Sequence, residues 1–182
     1  ILAIKKEERS EIERVLEEYN ITKVQTFVEG GKERQHSVHA CLEAYNGAPE
    51  SIVLVHDAAR PFLRQSTIHS LVMKAKEIGG AIAAVRVKDT TKRGRDGLVT
   101  ETLQRDTLWT IQTPQAFQYN ILYEASKRAL KEQFAATDES MLVEYVGKDV
   151  ALVESTYDNI KMTTPEDLAF GEIILRRKGE QR

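Results

Sequence analysis

Ser51-Ile52-Val53-Leu54-Val55-His56-Asp57-Ala58-Ala59-Arg60-Pro61 decides how the rest of this 182-residue chain is read. Its apolar run, Ile52–Val55, is nearly continuous rather than alternating, so the spacing predicts a short strand over 51–56 covered on both faces. An aspartate and an arginine follow at once. The carboxyl ends of strands are where open α/β sheets bind their ligands. An Asp and an Arg three residues apart can hold a ribose hydroxyl or a metal beside a phosphate, or can simply organise the turn as an ion pair; both readings stand at this point.

Working outward, strands and helices alternate. Ile12, Val15, Leu16 and Tyr19 recur at helical spacing within 5–19, and Val24–Val28 has strand character before Gly30-Gly31. Val38, Cys41, Leu42 and Tyr45 mark one helical face; Ile68, Leu71, Val72 and Ala75 mark another, closed by Gly79-Gly80 ahead of a strand over 81–87. This alternation implies right-handed crossovers and a mostly parallel sheet with helices on both faces, an α/β, Rossmann-like fold. Helical character returns over 120–131. Thr137-Asp138-Glu139 is expected to open a helix with Thr137 as its capping hydroxyl, Val150–Val153 forms a last strand, and Thr164-Pro165 starts a final helix.

The pattern breaks at 88–108, a polar stretch with a two-residue hairpin signal at Asp96-Gly97. Val99, Glu101, Leu103 and Arg105 alternate with Thr100, Thr102 and Gln104, so Arg105 is expected on the same strand face as Leu103. With too few apolar residues for a core of its own, this β-arm is expected to project and to be stabilised by a second subunit; a loose surface loop is the competing reading. The expected organisation is therefore one domain over 1–182 carrying a dimerisation arm.

Bulk properties narrow the class. Net charge is -2, which argues against a general nucleic-acid binder, and no apolar run approaches the roughly 18 residues of a membrane span. One cysteine allows no internal disulfide, in keeping with a reducing cytoplasm. His36 and His39 lie three apart on a helix without an evident third metal ligand, and are expected to be a surface pair. The chain opens at Ile1-Leu2-Ala3-Ile4 without methionine, and this run is expected to end a buried strand whose earlier context is missing.

Further polar clusters fall after predicted strands: Gly30-Gly31-Lys32-Glu33-Arg34, Asp89-Thr90, Thr113-Pro114-Gln115, Thr137-Asp138-Glu139 and Asp158-Asn159-Ile160-Lys161. Hydroxyls, an Arg and a Lys drawn from several loops suit an anionic substrate such as a sugar phosphate. Together with Val55–Pro61, in this order and spacing, the clusters resemble the 2-C-methyl-D-erythritol 4-phosphate cytidylyltransferases, within the nucleotide-diphospho-sugar transferase type of fold. The resemblance spans nearly the whole chain.

It implies a homodimeric enzyme of non-mevalonate isoprenoid synthesis that joins CTP to a small polyol phosphate with Mg²⁺ and releases pyrophosphate. It implies Gly31, Arg34, Ser37, Asp57 and Ala58 at the nucleotide, with Asp57 also at the metal. Arg60, Thr90, Arg105, Thr113, Thr137 and Lys161 would surround the acceptor, Arg105 and Lys161 positioning its phosphate for attack. Two departures accompany it: Lys32 stands where the family usually has Asp, and the family's opening strand and glycine-rich loop, with an Arg and a catalytic Lys, have no counterpart in this sequence. The competing functions are a ribitol 5-phosphate cytidylyltransferase, with the same fold and another acceptor, and a non-catalytic dimerisation or ligand-binding module.

Overall fold

The apolar runs and glycine stops become eight strands and six helices in the computed structural model, which describes residues 1–179. The described residues fall into two compact units, 1–53 with 117–149 and 54–116 with 150–179.

In the first unit, β1 (Leu2–Ile4) pairs in parallel with β2 (Phe27–Glu29), Leu2 opposite Phe27 and Ile4 opposite Glu29. The predicted helix over 5–19 is a short 3-10 turn, Lys6–Glu8, leading into α1 (Arg9–Glu18). Helix α2 (Arg34–Glu43) packs on β1, β2 and α4 (Tyr119–Lys131), and α4 packs on α5 (Glu139–Tyr145). The core-facing stripe of α4 is Leu122, Ala125, Ser126 and Ala129, all fully buried at helical spacing. The cap of α5 differs from the expectation. Asp138, not Thr137, accepts from the Met141 N–H at 2.9 Å, while the Thr137 hydroxyl points to the Met141 sulfur at 3.8 Å. A carboxylate one residue later makes the stronger cap and suits the helix dipole.

The second unit is built on strand ends and interiors of a four-stranded sheet, ordered β3 (Ile52–Val55), β7 (Trp109–Gln118), β4 (Gly80–Arg86), β8 (Ala151–Glu154). β4 runs parallel to β8, Ala81 opposite Ala151 and Ala84 opposite Glu154. Residues Gly80–Val85 are all buried, which is why this stretch reads as uninterrupted apolar sequence. Helix α3 (Gln65–Ile78) lies on β4 and β8 and stops at Gly79, whose φ of 105° is open to glycine at no steric cost. Helix α6 (Pro165–Gly179) begins with its proline, as expected. β7 was hidden in the sequence by Pro114, which ordinarily argues against an inner strand; its Thr113–Pro114 peptide is cis.

The arm is a two-stranded antiparallel hairpin, β5 (Lys92–Arg95) with β6 (Leu98–Thr102), turning at Asp96 and Gly97 with φ of 52° and 79°. Both residues are left-handed, as this tight turn demands. Every residue of both strands is exposed, and β6 ends at Thr102. Arg105 therefore does not share a strand face with Leu103; it starts a 3-10 turn, Arg105–Thr107, because the chain must bend there to enter β7.

The cap assignment is directly measurable. Asp138→Ala should lower unfolding stability in urea by about 1 kcal/mol, whereas Thr137→Ala should stay within about 0.5 kcal/mol of the parent.

Candidate active site

Asp57, Arg60, Thr113 and Lys161 come together in the second unit, where β3 ends. Lys161 Nζ lies 3.1 Å from Asp57 Oδ2, and Arg60 Nε lies 3.6 Å from the same oxygen. The Asp57 and Arg60 side chains are 16% and 14% exposed, against 45% for Lys161, so the lysine is the member in contact with water. Two cations on one carboxylate leave net positive charge, and Arg60 Nε has no hydrogen-bond partner among the described residues. Such a cluster attracts an anion.

The supports are local and explicable. The Asp57 N–H donates to Thr113 Oγ1 at 3.0 Å, and Thr113 Oγ1 in turn meets His56 Nδ1 at 3.0 Å. His56 Nε2 lies 3.1 Å from the Arg60 carbonyl, which can only accept, so Nε2 carries a proton, and in the neutral ring Nδ1 accepts from the threonine hydroxyl. That is the neutral tautomer, in keeping with a His56 pKa lowered chiefly by desolvation and partly opposed by the bond to Arg60. Arg60 Nη1 donates to the Asn159 carbonyl at 2.8 Å. The buried Asn159 side chain donates to Gln112 Oε1 and to the Thr113 carbonyl, each at 2.9 Å.

Ala58 sits exposed in the loop after Asp57. Thr90 and Arg105 lie at the root of the arm, where Arg105 Nη1 donates to the Lys88 carbonyl at 3.0 Å. Among the described residues, no hydrogen bond or ion pair joins either of them to the Asp57 cluster. The arm root is held by cations over rings: the Arg86 guanidinium stands 4.0 Å from the Trp109 centroid and the Lys88 ammonium 3.4 Å from that of Tyr157.

Gly31, Arg34, Ser37 and Thr137 belong to the first unit. The Gly31 N–H donates to Ser37 Oγ at 3.0 Å, and Ser37 Oγ donates to the Glu33 carbonyl at 3.3 Å. A Cβ on Gly31 would fall 2.3 Å from the His36 Cβ, so this loop requires glycine. Arg34, at the start of α2, pairs through Nη1 with Glu139, a carboxylate with only 1% of its side chain exposed. Burial raises the Glu139 pKa and the adjacent guanidinium only partly restores it. Thr137 is exposed beside that helix start.

Glu139 and Asn159 belong to clusters that the sequence singles out, whereas Gln112 does not, and for none of the three does the sequence signal burial. Glu139, Asn159 and Gln112 are polar residues whose importance lies in burial, which single-sequence pattern does not report. His39 is not a surface residue of a pair with His36: its side chain is 15% exposed, Nδ1 lies 2.9 Å from Ser126 Oγ, and the ring stacks on Tyr123. The expectation rested on the lack of an evident third metal ligand, whereas the burial of His39 is set by α4, which supplies Ser126 and Tyr123.

The described residues contain no group of three or more His, Cys, Asp or Glu side chains able to hold a metal ion. A lone carboxylate nevertheless fits magnesium, which takes one or two carboxylates and fills its octahedron with water and substrate phosphate oxygens. Among the described residues, no helix is long and apolar enough to cross a membrane.

Comparison with known proteins bears on the same residues. A family model described as 2-C-methyl-D-erythritol 4-phosphate cytidylyltransferase matches residues 1–177. The protein of that name from Lysinibacillus sphaericus (strain C3-41) is 54% identical over 180 residues, covering 99% of this chain and 77% of the relative. Its namesake from Geobacillus kaustophilus (strain HTA426) is 47% identical over 175 residues, covering 96% and 76%. Among solved structures, the 4-diphosphocytidyl-2C-methyl-D-erythritol synthase of Anaerococcus prevotii superposes with a TM-score of 0.87 at 34% identity, covering 96% of this chain and 77% of that one. The 2-C-methyl-D-erythritol 4-phosphate cytidylyltransferase of Thermus thermophilus gives 0.75 at 35% identity, covering 85% and 76%.

The buried Glu139 makes a pH prediction. Its folded pKa lies above the unfolded one, so its contribution to stability is fully present below the ordinary glutamate value of 4.5 and is lost as pH rises through the folded pKa. In urea titrations, the stability of the parent relative to Glu139→Gln should be greatest at acid pH and decline above 4.5. A flat difference across pH would mean that the carboxylate is not desolvated.

Proposed function

The chain belongs to the 2-C-methyl-D-erythritol 4-phosphate cytidylyltransferase family, and we propose that it joins CTP to 2-C-methyl-D-erythritol 4-phosphate, giving 4-diphosphocytidyl-2-C-methyl-D-erythritol and pyrophosphate in non-mevalonate isoprenoid synthesis. It is a nucleotidyltransferase, and one family model spans residues of both units, in keeping with a single nucleotidyltransferase domain. The observation that carries the reading is the Asp57–Arg60–Lys161 cluster, an excess of cation at a strand end where a phosphate would be held.

In this reaction an oxygen of the acceptor phosphate bonds to the α-phosphorus of CTP, while the bond from that phosphorus to the bridging oxygen breaks and pyrophosphate leaves with the electron pair. The acceptor phosphate is already an anion, so no strong general base is required. The protein's task is to bring two repelling anions together and to neutralise charge where it gathers. Lys161, exposed and on a flexible stem, exchanges its contact with Asp57 for the acceptor phosphate; Arg60, tied to the Asn159 carbonyl, keeps a second positive charge beside it. Members of this family use a divalent metal, and we assign magnesium, which the Asp57 carboxylate would hold. When bound it supplies positive charge against the triphosphate. Gly31, Arg34, Ser37 and Ala58 serve the nucleotide, with the backbone at Gly31 free of any side chain; Thr90, Thr113 and Thr137 serve the acceptor. We assign the reaction to the cytoplasm, the reducing compartment that a chain with one cysteine suits.

The test is pyrophosphate release across the four nucleoside triphosphates, with 2-C-methyl-D-erythritol 4-phosphate and ribitol 5-phosphate as acceptors. CTP with the former should be fastest; preference for ribitol 5-phosphate would change the acceptor assignment, and no release with any pair would favour a binding module. Asp57→Asn should reduce kcat by about 10²–10³ while leaving the fold intact. Lys161→Ala should raise the acceptor KM and lower kcat, a loss of about 1.5–3 kcal/mol.

The protein acts as a homodimer joined through the 88–108 arm, with Arg105 serving the neighbouring subunit's acceptor site. The arm's lack of any core and the exposed Leu98 and Val99, 73% and 63% accessible, support this. Mixing Arg105→Ala with Lys161→Ala under subunit exchange should restore activity, because one heterodimer site then keeps both residues. Absence of recovery despite demonstrated exchange would assign Arg105 to its own subunit or to no site.

A further inference from the structure

We propose that Asn159 is a positioning residue of the transfer reaction, setting Lys161 through the two buried hydrogen bonds that its carboxamide donates. The proposal rests on the reading of Lys161 given above and adds a residue that touches neither substrate.

Asn159 is 1% exposed. Both protons of its amide are used, one on Gln112 Oε1 and one on the Thr113 carbonyl, each at 2.9 Å. Gln112 spends its own amide on the Thr156 carbonyl at 3.2 Å. Three bonds thus fasten the 156–159 turn to β7. One residue beyond Lys161, the Met162 N–H donates to the Ala59 carbonyl at 2.8 Å. Lys161 is therefore suspended between two anchored neighbours, 159 on β7 and 162 on the loop that carries Asp57. Thr113 closes the circuit: its carbonyl takes Asn159 and its hydroxyl takes the Asp57 N–H. The lysine and the carboxylate it faces are thus referenced to one residue of one buried strand.

Only a short primary amide answers this geometry. Aspartate has the same shape but would set an acceptor against two acceptors, Gln112 Oε1 and the Thr113 carbonyl. An apolar replacement would leave both of those oxygens buried and unpaired. The Asn159 Oδ1 has no partner among the described residues. A buried acceptor left unmet is costly, so the residue is retained for its two donors rather than for general satisfaction of the core. Reacting groups tolerate little misplacement: about 1 Å can cost roughly a hundredfold in rate.

The experiment is a double-mutant cycle of Asn159→Asp and Lys161→Ala, read by the KM for each substrate, kcat and thermal melting. Asn159→Asp should raise the acceptor KM and lower kcat by roughly tenfold to a hundredfold in kcat/KM, with the KM for CTP unmoved. In the Lys161→Ala background it should add no more than about twofold. A second measurement needs no turnover: acetylation of Lys161 by N-hydroxysuccinimidyl acetate, followed by mass spectrometry with Lys131 as the exposed control. Asn159→Asp should accelerate acetylation at Lys161 severalfold and leave Lys131 unchanged. An additive cycle, an equal rise in the KM for CTP, or unaltered Lys161 reactivity would overturn the proposal and leave Asn159 a purely structural residue. Should Asn159→Asp lose its cooperative melt, Gln112→Met removes one of the two acceptors and keeps the other; it should move the same quantities in the same direction, and no movement would overturn the proposal equally. If the parent protein releases no pyrophosphate with any substrate pair, the functional reading fails, and the acetylation rates alone decide whether Asn159 sets Lys161.

Discussion

One carboxylate shared by two cations is the constraint on which the strand-end site depends. Asp57 Oδ2 faces Lys161 at 3.1 Å and Arg60 at 3.6 Å, and the protein brings these groups together from opposite ends of a long stretch of chain. Taking charges out of water is costly unless they are paired and their remaining hydrogen-bonding groups satisfied. Here Arg60 is held by a backbone carbonyl and Asp57 by a hydroxyl through its own N–H, while Lys161 stays in water. The arrangement is positive by one charge and leaves the Arg60 Nε without a hydrogen-bond partner among the described residues. It is stable enough to persist and incomplete enough to take an anion.

The strands were legible because apolar runs bounded by polar residues have few other readings, and Ile52–Val55 and Gly80–Arg86 lie where the pattern put them; the expected cover on both faces holds for the second, whereas no residue of Ile52–Val55 is buried and Leu54 is 37% accessible. β7 was not, since Pro114 and the polar Gln112, Thr113 and Gln115 contradict the usual look of an inner strand. Those residues are buried because the site is built from them. The site clusters were legible mainly through their resemblance to a family; spacing alone left the Asp57–Arg60 pair open between turn and ligand. Asn159 and Glu139 stand inside clusters that the sequence singles out, but their buried roles do not show there: a polar side chain acts differently once buried, and burial is set by elements far along the chain. Thr137 and Asp138 show the finer limit, since either can cap and only geometry chooses.

The arm illustrates how a segment can be ordered without a core. Its turn is fixed by two left-handed residues and its root by Arg86 over Trp109 and Lys88 over Tyr157. Between root and turn, its support is the hairpin's own ladder and exposed pairs such as Arg93 with Glu101, which contribute little. Isolated two-stranded ribbons are marginal in water. Strand residues as apolar as Leu98 and Val99, left on such a ribbon, are what a surface buried by another chain would look like before it is buried.

Two carboxylate–cation pairs in this chain differ in a way that separates anchoring from exchange. Glu139 is almost wholly buried, and burial holds its pKa up despite the guanidinium of Arg34. Removing Arg34 from it would strand a desolvated charge, a loss of about 3–5 kcal/mol for a typical buried pair. Arg34 is therefore a charge fixed by Glu139 at the start of α2. Lys161 is under no such obligation. With nearly half its side chain in water and Arg60 still beside Asp57, it can leave the carboxylate at small cost and return when the ligand departs. Of the two cations, the exposed lysine is thus the one able to move, and the buried carboxylate holds the other in place.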